Sequence, residues 1–518
     1  VLNSRLRRRD RAGRSPARRP RGAADVVHTW FVAVTLIASV VALAVGLYAA
    51  WVGLDNIVST LTMLIGVSGV GLTAVQTVPA IVRHVRQAWR PVGYLLVAAL
   101  VVATSYATWV VAHKPVIKIA VSMPFLDVDP RDARAVLRGV GLAVAAEQFV
   151  ADGVPIEIVP FDDHDLAGGV TYMSPDGSHL AGKADGLRTV LDDAQIAGVI
   201  GPFHSDTALE EIPVVSAAGI PMISPSNTLT CLTHRGEVCE STPIPRDSTY
   251  FRMAVTDEVR AEDLATRLAA HLSKRLAVAQ VVVAEDATTF GQGLAASFER
   301  EWRERRPSDR LTRLGVADAR ERIIAGTVRP DLVLYCGTGL SGGMLYEAVQ
   351  SRRRASPSLF VGPATIMNGG LTQWATAAGE LYAVAPSPYD DTRGQGNVFK
   401  GHYRFRFTDG DPSPYAAAAY DATRALIMAI EKAMHGHVRP PVAERGPFMR
   451  WRADDLRRRT VEALRTFNRG PGFPDYENPV LGAFWFDDRG DVVFRSARTA
   501  IYQYGDGTKG VPEWQFVR

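Results

Sequence analysis

The stretch Val199 to Thr228, VIGPFHSDTALEEIPVVSAAGIPMISPSNT, constrains the fold more than any other part of the chain. An apolar run ends at Ile200, Gly201-Pro202 turns the backbone, and Ser205 and Asp206 are residue types that start helices. Leu209, Ile212, Val215 and Ala218 recur at helical spacing until Gly219 ends the run, and Pro221–Ser224 reads as a second buried strand. Strand, helix and strand in this order form a crossover, which demands a parallel sheet and brings both strand ends to one edge. The loop Ser226, Asn227, Thr228 then faces the helix start at Ser205, where hydroxyls and amide dipoles suit a carboxylate or another small anion. Ser205 can cap its helix, hold a ligand, or do both.

The same alternation runs through most of the chain. Strands are expected at 116–121, 155–161, 278–284, 331–335 and 358–361. Helices are expected at 133–150, 184–194, 258–273, 290–305, 344–352 and 453–467, with a Gly/Ser-containing insertion reaching residue 182. Repeated strand–helix units imply doubly wound parallel sheets in an α/β protein. Near the C-terminus, 481–486 and 492–504 read as a hairpin around Asp487–Gly490.

The first 114 residues differ in kind. Residues 1–25 hold nine Arg against Asp10 and Asp25 and read as a disordered basic tail. Three apolar spans follow at about 28–54, 56–82 and 91–112, long enough to cross a bilayer as a membrane anchor. The Arg tail and Arg83, Arg86 and Arg90 mark the cytoplasmic side, so 115–518 is expected outside the cell membrane. The chain's net charge of +4 conceals this asymmetry: the tail carries +7, residues 26–114 carry +3, and the remainder carries −6. Nucleic acid is therefore not an expected partner of the large domain.

Further stretches along 116–518 resemble one family in collinear order. They are YFRMAVTDE (Tyr250–Glu258), VVVAEDATTFGQGLAASF (Val281–Phe298), DLVLYCG (Asp331–Gly337), VGPA (Val361–Ala364), SPYDDTRGQGNVF (Ser387–Phe399) and DPSPYAAAAYDATRALIMAI (Asp411–Ile430). With the 199–228 stretch they resemble type I periplasmic binding proteins of the branched-chain amino-acid-binding (leucine-binding) family. That resemblance implies two lobes joined by hinge strands, with ligand between them. Lobe one would comprise about 116–253 and 386–436, and lobe two about 254–385 and 480–518. It implies further that Ser205 and Thr228 hold a ligand carboxylate, with Ser226 and Asn227 adjoining. Phe290 stands where the family has a cleft aromatic, and Thr338 and Gly339 lie near another such position. Ala364 departs from the pattern, because the family has an acid there that pairs with a ligand ammonium; Asp206, Asp390 or Asp391 are the alternative acids. Asp132 stands about where the first loop has an aromatic.

The expected function is capture of a small polar, carboxylate or amino-acid-like solute for an ABC-type permease. The alternatives are a sensor ectodomain with a signalling partner, and a hydrolase built on Ser341 in Gly339-Leu340-Ser341-Gly342-Gly343. The glycines in that last motif equally suit close approach of a ligand. Asp162, Asp163, His164 and Asp165 follow one strand, where solvation or capping is a better account than metal, and no cofactor or catalytic residue is expected. Cys231 and Cys239 flank a polar loop and suit a disulfide in an exported domain; Cys336 reads as a buried thiol.

Overall fold

The computed structural model describes residues 97–105 and 115–517 except 128–129, 164–168, 235–243, 275–276, 339–340, 352–357, 368–380, 409, 436–446, 470–475, 477, 496–497 and 507–511. The chain divides into two units, 1–114 and 115–518. Two of the expected membrane spans lie outside the described residues. Of the third, 97–105 is described: it is helical and exposes Val97, Val101 and Val102. Among the described residues no helix is long and apolar enough to cross a membrane.

The second unit contains two large sheets. The first is assembled from β1 (Ile117–Met123), β2 (Val150–Ala151), β3 (Val154–Asp162), β4 (Val170–Met173), β5 (Leu180–Ala184), β6 (Ile196–Ile200), β7 (Met222–Ser224) and β8 (Tyr250–Arg252). Its order is β5-β4-β3-β1-β6-β7-β8, with β2 on β3. The run from β3 through β8 is parallel, as the crossovers demand. Helices α1 (Arg131–Ala146), α2 (Leu187–Leu191) and α3 (Ser205–Ala217) connect these strands. The stretch before residue 182, read above as an insertion, is the antiparallel pair β4–β5 on the sheet edge. Its Ser, Gly and Asp residues make the turn, and they hid the strand pattern on either side.

The second sheet takes β9 (Gln280–Glu285), β10 (Arg310–Gly315), β11 (Leu332–Cys336), β12 (Leu359–Pro363), β13 (Leu381–Ala385), β16 (Ala500–Asp506) and β17 (Pro512–Val517), in the order β10-β9-β11-β12-β13-β16-β17. Its helices are α4 (Asp257–Ser273), α5 (Thr289–Arg305), α6 (Val316–Ala325) and α7 (Ser341–Ser351). Strand β10 and helix α6 have no counterpart in the expected pattern. RLTRLG lies on the sheet edge, half-buried from Leu311 to Leu314 and broken by Arg310, Thr312 and Arg313, so it lacks the apolar run that marked its neighbours.

Helix α8 (Gly394–Arg406) packs on α9 (Pro414–Met434) through the Phe399–Tyr420 ring contact, and α9 and α10 (Pro447–Arg465) return to the first sheet. Ser413 caps α9 by accepting from the Ala416 amide, Pro414 starts it, and an alanine stripe lets it approach α1. That approach is close enough that a Cβ on Gly139 of α1 would lie 2.2 Å from the Ala416 carbonyl oxygen. The hairpin expected at 481–504 is only partly realised. Strands β14 (Phe484–Phe486) and β15 (Val492–Phe494) pair with each other, but the chain from Ala500 leaves to pair with β13 and β17. Of the 480–518 stretch assigned to lobe two, the β14–β15 pair instead packs on β8, through Phe251–Phe486 ring contact and the Arg252–Asp491 ion pair at 2.6 Å. The chain thus passes between the two sheets three times: after β8, after β13 and after β15.

Candidate functional site

The site forms where the C-terminal edge of the first sheet faces that of the second. Just past β6 stands Gly201, whose φ of +131° suits glycine and on which a Cβ would lie 2.3 Å from the Ser122 carbonyl oxygen. The helix N-cap is His204, with no side-chain cap, so Ser205 is the first helical residue and not the cap that its type suggested. Ser205 is buried, and the His204 side chain makes no capping hydrogen bond to the α3 amides. An uncapped helix start of this kind favours an anion from outside the helix.

The neighbouring loop is held rigid by its own polar groups. Ser224 Oγ donates to the Pro202 carbonyl (2.8 Å) and accepts from the Ser226 and Asn227 amides. Ser226 Oγ and Asn227 Nδ2 both donate to the Phe203 carbonyl, at 2.7 and 2.8 Å, and the Tyr250 hydroxyl donates to Asn227 Oδ1. These side chains therefore position the loop. Thr228 differs: it is 1% exposed, and its hydroxyl has no hydrogen-bond partner among the described residues. A buried hydroxyl left open is costly unless something else completes it.

The opposite wall comes from the second sheet. Asp286, just past β9, accepts from the Thr288 amide and, with its other oxygen, from the Thr338 amide at 2.8 Å. It thereby ties the α5 start to the turn after β11. Thr288 caps α5 by accepting from Gly291, and the Thr289 amide donates across the cleft to Asp206 Oδ1 at 3.2 Å. Phe290 follows directly, with the Arg260 guanidinium 5.8 Å from its ring centre. Ala364 is buried at the end of β12. Tyr415, at the start of α9, packs its ring edge-on against Phe203 at 5.0 Å. Burial, and then Asp132, push the Tyr415 hydroxyl well above its usual pKa.

Asp206 thus meets the residue before Phe290 across the two lobes, Thr228 adjoins the start of α4, and Thr338 is tied to the α5 start through Asp286; Gly339 lies outside the described residues. Three residues were not singled out from sequence: Asp257, Arg260 and Tyr415. Asp257 is buried and its amide donates to the Thr228 carbonyl at 2.7 Å, while neither of its carboxylate oxygens has a partner among the described residues. Burial pushes its pKa up to about 6, opposed by Arg260, by the nearby Thr228 hydroxyl and by Arg252. The signal was present in the sequence. Asp257 and Arg260 fall one turn apart on the apolar face that carries Ala261 and Leu264, where charged residues are seldom buried without a reason.

The other candidates resolve differently. The Ser341 hydroxyl is engaged by Tyr335 at 2.7 Å and by the Thr338 carbonyl, not by a histidine. Asp162 accepts from the Leu126 amide, and Asp163 from Ser122; His164 and Asp165 lie outside the described residues. No cluster suited to a metal occurs among the described residues. Cys231 is disulfide-bonded, with its expected partner Cys239 outside the described residues, and Cys336 is a buried free thiol.

A family model described as periplasmic binding protein matches residues 132–450. The chain belongs to the periplasmic binding protein family. Members of this family bind solutes and are not enzymes, which removes the hydrolase alternative. No curated protein matches this binding protein. Solved structures with the same fold include an ABC transporter substrate-binding protein from Desulfitobacterium hafniense in complex with Leu (21% identity, 78% of this chain and 100% of that one, TM-score 0.53). A leucine-binding protein from Thermotoga maritima is 17% identical over 78% of this chain and 98% of its own, with a TM-score of 0.54. A solute-binding protein of an ABC transporter from Rhodopseudomonas palustris, in complex with 3,4-dihydroxy benzoic acid, is 15% identical over 78% and 97%, with a TM-score of 0.56.

Proposed function

We propose that this binding protein captures a small carboxylate lacking an α-amino group, for an ABC-type uptake system, from a domain held outside the cell membrane by its N-terminal spans. The observation that carries the ligand class is the pairing of an uncapped α3 start at Ser205 with the open, buried Thr228 hydroxyl. Both complete a carboxylate. Ala364 stands at the position where the resembling family pairs an acid with the ligand ammonium, and an alanine offers that charge no partner at this position. The benzoic acid derivative held by the Rhodopseudomonas palustris protein, a carboxylate without an ammonium, is in keeping with this reading. Membrane attachment rests on the three apolar stretches and the Arg asymmetry, and is supported by the apolar side chains exposed on the 97–105 helix.

Titration calorimetry of the full chain with benzoate, 3,4-dihydroxybenzoate, leucine and valine tests the ligand class. Ser205→Ala and Thr228→Val each remove about one charge-assisted hydrogen bond, so each should weaken carboxylate binding roughly tenfold to a hundredfold. Tight binding of leucine that Ser205→Ala leaves unchanged would refute the carboxylate site. A phosphatase-type reporter fused after Lys114 should be active; activity of a cytoplasm-only reporter there would refute the topology.

A further inference from the structure

Arg260 is a feature of the cleft that a simple carboxylate at Ser205 and Thr228 does not use. It is 1% exposed, in the first turns of α4. One terminal nitrogen donates to the Val384 carbonyl at the end of β13 (3.0 Å), while Nε is buried with no hydrogen-bond partner among the described residues. The acid one turn earlier, Asp257, lies near enough for the Arg260 charge to oppose its raised pKa, but it makes no hydrogen bond to the guanidinium: both Asp257 oxygens are without a hydrogen-bond partner among the described residues. A guanidinium this deeply buried normally forks onto a carboxylate, because an incomplete buried cation is costly.

Its surroundings place this cation at the cleft. Arg260 lies over Phe290, the residue after Thr289, whose amide makes the cross-lobe bond to Asp206. Its charge is also felt by Cys336 at the end of β11 and by Tyr415 at the start of α9. The guanidinium therefore sits among the ends of β11 and β13 and the start of α5, all elements of the second lobe, and faces Tyr415 of the first. Ser205 and Thr228 belong to the first lobe. We propose that Arg260 is a second anion subsite on the second-lobe side of the cleft, so that the preferred ligand is a dicarboxylate bridging the two lobes. This inference rests on the carboxylate reading of Ser205 and Thr228 for the other end of the ligand.

A bridging dianion also gives closure a physical cause. One carboxylate is completed by α3 and Thr228 of the first lobe and the other by Arg260 of the second, so neither lobe alone offers the full set of partners. Binding and closure are then the same event.

The test compares ligands with one and two carboxylates on the same skeleton, by calorimetry on the full chain: benzoate against isophthalate and terephthalate, and pentanoate against glutarate. In the wild type at least one dicarboxylate should bind tenfold to a hundredfold more tightly than its monocarboxylate. Arg260→Gln should abolish that preference while leaving monocarboxylate affinity within severalfold, and Arg260→Lys, which keeps the charge but not the fork, should retain part of it. Equal affinity for both classes in the wild type overturns the proposal, and the wild-type comparison needs no variant to fold. A preference that survives in Arg260→Gln, with an unchanged melting temperature, overturns it as well. Ser205→Ala separates the two readings. Benzoate binding lost in Ser205→Ala with no dicarboxylate preference in the wild type sinks only the Arg260 subsite. A dicarboxylate preference lost in Arg260→Gln but untouched by Ser205→Ala sinks only the Ser205 site.

Discussion

Replacing Glu211 with Gln should make the protein more stable at alkaline pH. Glu211 lies on α3, fully buried. One oxygen accepts from Ser122 Oγ at 2.6 Å, and the other has no hydrogen-bond partner among the described residues. Burial pushes its pKa up to about 8, against the pull of Ser122 and with a push from Glu210. Asp163, which accepts from the same Ser122 hydroxyl at 3.4 Å, is raised too, by burial first and then by Glu211, with His204 opposing. A carboxyl whose pKa is higher folded than unfolded keeps a proton that the unfolded chain gives up. The unfolded state then binds fewer protons, so stability falls as pH rises from the ordinary Glu value of 4.5 to about 8, and levels off above. One proton difference amounts to about 1.4 kcal/mol per pH unit, so the loss between pH 6 and pH 8 is roughly 2–3 kcal/mol. A unit of about 400 residues has an unfolding entropy near 0.8 kcal/mol/K, which converts this to a fall of about 3 °C in melting temperature. Gln can still accept from Ser122 but cannot ionise. Thermal unfolding of the wild type and Glu211→Gln at matched pH values should therefore show a steeper decline in the wild type between pH 6 and 8. Asp257 and Asp421, both near 6, contribute alike to the two proteins, so the difference isolates Glu211 and the share of Asp163 that depends on it. Parallel curves, or a variant that declines more steeply, would refute the reasoning.

Ala364→Glu should restore a partner for an ammonium and move preference toward leucine and valine, read as a reversal of their affinity relative to benzoate in calorimetry. Gly139→Ala drives a methyl into the Ala416 backbone of α9, and neither helix can yield without disturbing the alanine seam; a loss of about 1–3 kcal/mol in denaturant unfolding is expected, with ligand affinity unchanged. Asp206→Asn removes charge from the acceptor of the cross-lobe bond with Thr289, so it should weaken closure and raise the ligand dissociation rate severalfold in stopped-flow measurements. Ser341→Ala should leave affinity within severalfold, since that hydroxyl is occupied by Tyr335 and Thr338.

Much of the fold was legible because it is written in short-range patterns. The apolar runs that became β1, β6, β9 and β11, and the apolar spacing that became α3, α4 and α5, depend on residues a few positions apart. So does the stop at Gly219, which adopts a φ of +65°. Positions next to the 199–228 crossover were legible for the same reason, since a crossover brings Ser205 and Thr228 to one edge whatever surrounds it. Elements with weak local signals were not: the β4–β5 pair is dominated by turn residues, and β10 is interrupted by Arg310, Thr312 and Arg313.

What only the tertiary structure decided is which polar groups remain open once the two sheets meet. Ser226, Asn227 and Thr228 all carry polar side chains on one loop, but packing against Phe203 and Tyr250 consumes the first two and leaves the third without a partner among the described residues. Asp257 and Arg260, one turn apart on a helix, were not singled out from the sequence. Burial between β13, Phe290 and Thr228 makes them an incomplete pair inside the cleft. The division between β14–β15 and β16–β17 was settled in the same way, by Arg252 drawing Asp491 to the first lobe while β13 offered an open edge to Ala500–Asp506. Local sequence specifies elements because their hydrogen bonds close within a few residues. Whether a hydroxyl, a carboxylate or a guanidinium is satisfied depends on partners tens or hundreds of positions away, and that only the assembled lobes supply.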